Sequence, residues 1–171
     1  MSNGRHSSDW ITDLAIDFMA QENDEPFFVY LGLTPVHSLW NVEQHYIDPY
    51  FEQGYSLQIA TIYGYITILN DAVKNVVNAI DENGLSEDTV VIFLSDNGHI
   101  DRNGGERTIK MDRIRLNEEE KQQRHPSKLK ARKPFVYEGG IRVPSFFRYG
   151  SHWKPQIVDT PSATMDIFPT L

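Results

Sequence analysis

"TVVIFLSDNGH", residues 89–99, runs through Val90, Val91, Ile92, Phe93 and Leu94 before turning abruptly to Ser95, Asp96, Asn97, Gly98 and His99. Such a short β-branched and aromatic run, bounded by polar residues, predicts a buried strand. Its end is open to two readings. Asp-Asn-Gly is good turn chemistry, in which Asp and Asn bond local backbone and Gly takes a positive φ. Asp96 and Asn97 are also hard oxygen donors, suited to Ca²⁺ or Mg²⁺ and poorly suited to soft metals. Two adjacent ligands cannot fill a sphere of six to eight oxygens, so on local chemistry alone the turn reading is the stronger.

Working outward, apolar residues at spacings of three and four from Ile59 to Ile80 predict a long helix over about Tyr55–Asn83, closed by Gly84. Upstream, Ser7 or Ser8 can cap a helix that places Trp10, Ile11, Leu14, Ala15 and Phe18 on one face and ends near Glu22. "FFVYLGL", residues 27–33, has the length and composition of a second strand. It breaks at Thr34 and Pro35, leaving His37 just past its C-terminal end. Residues 38–54, rich in aromatics, Pro and Gly, read as an irregular connection. Helix, strand, helix, strand predicts an α/β fold with a largely parallel sheet flanked by helices, which carries ligand sites at the carboxyl ends of its strands. His37 and the Asp96-Asn97 pair both sit at such ends.

Beyond His99 the chain changes character. From Asp101 to Lys133 it holds 11 Lys and Arg against 6 Asp and Glu, a local +5 in a chain of net charge −8 that leaves −13 elsewhere. Residues 101–128 therefore read as a polar, basic insert with a short charged helix around "LNEEEKQQ". Such an insert steers an anionic substrate, or is simply a solvated loop. In "YEGGIRVP" a double glycine marks a tight turn, and Glu138 and Arg142 are placed to pair across it. Ile141–Phe147 then predicts a strand.

At 171 residues with 40% hydrophobic and 23% charged residues, the chain has material for a single domain with a core. No run has the roughly 18 apolar residues of a membrane span, and "MSNGRHSSDW" does not read as a secretory signal. The absence of Cys excludes disulfides, thiolate metal sites and a cysteine nucleophile within these residues.

"PFFVYLGLTPVH", "IATIYGYITILNDAVKNVVNAIDENGLSEDTVVIFLSDNGH", "LKARKPFVYEGGIRVP" and "TMDIFPTL" occur in the order found in sulfatases, the alkaline-phosphatase-like hydrolases that use formylglycine. The chain resembles that family except over residues 38–54 and 100–127. The resemblance implies a partial alkaline-phosphatase-like fold over residues 1–171 and hydrolysis of sulfate esters. It implies that Asp96 and Asn97 ligate a divalent cation, Ca²⁺ or else Mg²⁺, and that the Asp96 carboxylate lies near the nucleophile. Lys133 matches the lysine that contacts the sulfate oxygens, and His37 the histidine at the leaving-group side. The physical task fits these groups, because sulfate ester cleavage develops negative charge on equatorial and departing oxygens.

The sequence departs from the pattern where the nucleophile should be: the formylglycine motif and a paired-aspartate metal motif are absent, and Pro134 replaces the usual glycine after the lysine. The expectation is a catalytic-domain fragment, inactive alone, whose partner is the missing N-terminal part of the same domain. The substrate is expected to be a sulfated small molecule or sulfated polysaccharide rather than nucleic acid. Localisation is unreadable, although the family is usually exported, periplasmic or lysosomal. The rival readings are a phosphate or phosphonate ester hydrolase of the same superfamily, and a non-catalytic remnant that binds a cation or a sulfated glycan.

Overall fold

The computed structural model describes residues 6–21, 25–37, 41–100 and 116–171. Helices α1 (Ser7–Met19), α2 (Gln44–Phe51) and α3 (Leu57–Glu82) precede strand β1 (Val91–Leu94). They are followed by α4 (Glu118–Arg124), the single turn α5 (Glu138–Ile141), strand β2 (Ser145–Arg148), and a 3-10 turn (Thr164–Asp166) running into α6 (Ile167–Thr170).

The organising element is α3. Ser56 caps it by accepting the Ile59 N–H, and at its far end Gly84 takes φ +69° while Leu85 donates back to the Ile80 carbonyl. This is the glycine-terminated C-cap that the sequence predicts. Ile59, Ile62, Tyr65, Ile68 and Ala72 are buried along its length, each isoleucine contributing about 1.5–3 kcal/mol. Helices α1 and α2 pack directly on this face.

Three expectations fail here, for identifiable reasons. Residues 38–54 are not irregular throughout, since α2 forms within them although Pro49 lies inside it. Helix α2 is held by contact rather than by propensity: a Cβ on Gly64 of α3 would lie 2.8 Å from the Tyr46 carbonyl oxygen, so the two backbones meet at a glycine. In α1 the cap is His6, whose Nδ1 accepts the Ser8 N–H, and not either serine. Its buried stripe is Ser8, Thr12, Ala15 and Met19, the first three small enough to allow close approach to α3, while Trp10, Leu14 and Phe18 are largely exposed.

The largely parallel sheet is not found among the described residues. Their one sheet is an antiparallel pair, β1 against β2, in register Val91↔Arg148 to Leu94↔Ser145. The predicted strand at residues 27–33 is described without ladder pairing. It keeps the alternation of a strand, with Phe28 and Tyr30 82% and 86% exposed and Phe27, Val29 and Leu31 half-buried. A strand forms only when a neighbour receives its N–H and C=O groups, and apolar composition cannot specify that neighbour.

Of the basic insert, residues 101–115 lie outside the described residues. The charged helix expected after them is α4. It opens with a reciprocal capping box: Glu120 N–H to Asn117 Oδ1 at 2.9 Å, and Asn117 N–H to Glu120 Oε2 at 2.8 Å. Leu116, just before it, is buried against Ile59 and Ile62. Tyr63 Oη donates to the Gln123 carbonyl at 2.9 Å, so α4 is anchored to α3 at two points.

Candidate functional site

At the end of β1, Ser95 N–H donates to the Pro144 carbonyl at 3.2 Å and Ser95 Oγ donates to the Asn97 carbonyl at 3.0 Å. These bonds bend the chain so that the Asp96 side chain is exposed and Asn97 half-buried. The role of Gly98 differs from the one its turn composition suggests. Its φ is not positive, since Gly54, Gly84 and Gly150 are the glycines in that region among the described residues. Instead Gly98 N–H donates to the Gly140 carbonyl at 2.9 Å, and an added Cβ would overlap the Gly139 carbonyl. This glycine is required by backbone contact.

The Glu-Gly-Gly turn has the same logic. A Cβ on Gly139 would overlap the Ala131 carbonyl and one on Gly140 the Phe135 carbonyl, while Gly139 N–H donates to the Lys130 carbonyl at 2.8 Å. The loop carrying Lys133 is thereby wrapped around α5. Lys133 N–H in turn donates to the His99 carbonyl at 2.9 Å. The Asp96-Asn97 turn, the Lys133 loop and the Gly139-Gly140 turn thus form one backbone-bonded unit, although more than 30 residues separate the first from the second in sequence. Glu138 and Arg142 make the expected ion pair across the turn, at 3.5 Å and with both side chains largely exposed.

His37 lies on a separate turn, closed by its own N–H to the Thr34 carbonyl at 2.8 Å, and is exposed. The sequence reading missed a further feature beside the site: the rings of His99 and His125 stack with centroids 3.8 Å apart. No local signal announces a pairing across 26 residues.

The perturbed carboxylates lie elsewhere. Hydrogen bonds from Arg148, the largest cause, and from Ser86 hold the Asp81 carboxyl below its ordinary range, and the Ser151 hydroxyl and N–H do the same for Glu87. Among the described residues no three His, Asp or Glu side chains gather closely enough to hold a metal ion. Asp96 and Asn97 have the donor chemistry for Ca²⁺, but they are two oxygens where six to eight are needed.

The sulfatase family model matches residues 1–171. This chain belongs to the sulfatase family. Sulfatases are sulfuric ester hydrolases, so the enzyme class expected from the sequence is the class of its family. Over 98% of its length the chain is 28% identical to a sulfatase of Formosa agariphila, covering 29% of that protein. It is 31% identical to steryl-sulfatase of Mus musculus, over 94% of this chain and 23% of the relative. N-acetylgalactosamine-6-O-sulfatase of Bacteroides thetaiotaomicron is 28% identical, over 96% of this chain and 29% of the relative. The chain thus spans less than a third of the length of these relatives.

Among solved structures, Ps i-CgsB in complex with k-i-k-neocarrahexaose superposes with a TM-score of 0.66 at 23% identity, over 89% of this chain and 30% of that one. A structure from work on the metabolism of multiple glycosaminoglycans by Bacteroides thetaiotaomicron gives a TM-score of 0.67 at 25% identity, over 86% and 28%. These residues therefore share part of the fold of those structures, and the described ones contribute helices and one antiparallel strand pair to it.

Proposed function

We propose that this chain forms the part of a sulfuric ester hydrolase that binds the sulfate group, and that its substrate is a sulfated polysaccharide. The observation that carries this is the Lys133 N–H to His99 carbonyl bond, which fixes the lysine loop to the turn bearing Asp96 and Asn97. In this reading the Lys133 ammonium contacts the sulfate oxygens, and His37 stands on the leaving-group side. Asp96 and Asn97 give two oxygen ligands to Ca²⁺ or Mg²⁺, whose other ligands come from further parts of the same domain. The nucleophile, a formylglycine in the family, also comes from outside these residues, which include no Cys. The basic segment before Lys133 supports a polyanionic substrate, as do the neighbour solved with a neocarrahexaose and the relative named for an N-acetylgalactosamine 6-O-sulfate.

The test is a chimera in which this chain replaces the matching stretch of the Bacteroides N-acetylgalactosamine-6-O-sulfatase. It is expected to hydrolyse an aryl sulfate faster than the corresponding aryl phosphate. Lys133→Ala should then lower kcat by about 10²–10³, the usual loss for one charge-stabilising donor. Preference for the phosphate ester would assign the chain to phosphorus chemistry instead. The 171-residue chain alone is expected to show no turnover above its Lys133→Ala variant.

A further inference from the structure

We propose that the cavity between α4 and the turn at residues 125–132 is a second anion-binding site, which holds a sulfate group of a sulfated oligosaccharide beside the candidate site. As a subsite, this rests on the reading of Lys133 as a sulfate contact. The cavity has a volume of about 300 Å³ and is lined by His99, Lys121, His125, Lys128 and Arg132, with Glu118 as the one acidic side chain among the described residues that line it. Glu118 pairs with Lys121. Even with both histidines neutral, the described lining residues carry three cationic groups against one anionic group.

The walls are fixed rather than loose. His125 is held at both ring nitrogens, Nε2 to the Leu129 carbonyl at 3.0 Å and Nδ1 to Ser127 Oγ at 3.2 Å, and its face stacks on His99. Two non-glycine residues of this turn, Lys128 at φ 54° and Ala131 at φ 65°, adopt the left-handed conformation. L residues avoid that region, and a turn that holds two of them is shaped by something other than local preference. Lys128 N–H donates to the His125 carbonyl at 3.3 Å, and further along the turn the Lys130 carbonyl receives Gly139 N–H. The turn is therefore bonded at one end to the stacked histidine and at the other to the Gly-Gly turn.

The placement identifies the ligand class. His99 forms one wall of the cavity, and its carbonyl receives the N–H of Lys133, the residue next to Arg132. Cavity and candidate site thus share a strand of backbone. A sulfate monoester carries its charge at every physiological pH and offers several acceptor oxygens, which suit ammonium and guanidinium donors. A sugar polymer with one sulfate against Lys133 presents further sulfates on neighbouring residues, and a fixed concavity of positive charge beside the first site holds one of them.

Calorimetry of the 171-residue chain with sulfated neocarrahexaose, and with the same hexaose desulfated, tests this. Lys128→Gly is the decisive variant: it removes the charge while supplying the residue most at home at φ 54°. Its thermal midpoint should be unchanged or higher, and its affinity for the sulfated hexaose about ten-fold lower, the loss of one charge-assisted contact. Arg132→Gln should weaken binding to a similar degree, and the desulfated sugar should give no heat. Wild-type affinity in both variants, equal binding of the desulfated sugar, or no heat from the wild-type chain would each overturn the proposal. Lys133→Ala separates the two readings. If it abolishes binding while the cavity variants bind normally, the cavity proposal fails and the sulfatase reading stands. If the cavity variants lose binding and Lys133→Ala does not, the cavity stands and the reading of Lys133 fails.

Discussion

Lys133 donates its backbone N–H to the carbonyl oxygen of His99 over 2.9 Å, and Gly98, one residue before His99, donates to Gly140 over the same distance. The two bonds cross-link the turn that ends β1 to the loop and turn that precede β2. Since β1 and β2 also pair, the candidate site stands at one end of a short antiparallel ribbon whose register fixes it.

That arrangement separates two uses of glycine, and substitution should reveal the difference. Gly84 has nothing within 4 Å of an added Cβ but sits at φ +69°, so Gly84→Ala should cost about 1–2 kcal/mol through backbone conformation alone. At Gly98 the conformation is permissive and the space is absent. Gly98→Ala should cost about 1–3 kcal/mol through overpacking, and unlike Gly84→Ala it should also disturb the Lys133 loop. Urea denaturation measures the first quantity in each variant. Amide hydrogen exchange at Lys133 measures the second, and should accelerate in Gly98→Ala alone.

Calcium should bind the chain poorly. With Asp96 and Asn97 as the candidate oxygens and no cluster of three His, Asp or Glu among the described residues, those residues fall far short of a full coordination sphere. A calcium titration at micromolar concentration is expected to give no saturable heat, and Asp96→Asn no change in thermal midpoint. Tight stoichiometric binding that Asp96→Asn abolishes would show that this chain completes the site.

The acid limb of stability should come from the link between α3 and β2. Arg148 of β2 bonds Asp81 near the end of α3, Ser86 bonds the same carboxylate, and Glu87 accepts from the hydroxyl and N–H of Ser151. Both carboxyls titrate below their ordinary values of 3.8 and 4.5 in the folded chain. A depressed folded pKa means that the stabilisation is complete above the unfolded value and is lost as pH falls through the folded one. The thermal midpoint should therefore hold from neutrality to about pH 5 and fall progressively below about pH 4. Asp81→Asn should lower the midpoint at neutral pH and flatten the acid limb, as seen by differential scanning calorimetry between pH 3 and 7.

Sequence made some of this legible and not the rest, for reasons visible in particular residues. Helix α3 and its Gly84 stop follow from periodicity and capping, which are local. The Glu138–Arg142 pair and the charged helix α4 are local too, separated by four residues or closed within one capping box. Helix α2 was invisible because its stability comes from Gly64, on another element. The buried stripe of α1 is not legible in sequence, because close packing against α3 favours Ser8, Thr12 and Ala15 over larger apolar residues. Asp96, Asn97 and Lys133 stand out by resemblance rather than by spacing. What joins them, backbone contact at three glycines, leaves in sequence only the glycines themselves.

The segment from Phe27 to Leu33 supplies the remaining prediction. Phe28 and Tyr30 project at more than four-fifths exposure from an extended stretch described without ladder pairing, and Trp10 and Phe146 are each more than three-fifths exposed. An extended apolar segment with unpaired backbone groups is a template for intermolecular pairing. The purified chain is expected to self-associate in a concentration-dependent way, read by light scattering coupled to size exclusion. Phe28→Lys and Tyr30→Lys together place charge on the exposed side of that segment and leave the half-buried Phe27, Val29 and Leu31 in place. The double variant should shift the chain toward monomer with little change in thermal midpoint, because neither side chain is part of the core around α3. A monomeric wild-type chain with a cooperative transition would mean that this surface is covered within the molecule itself.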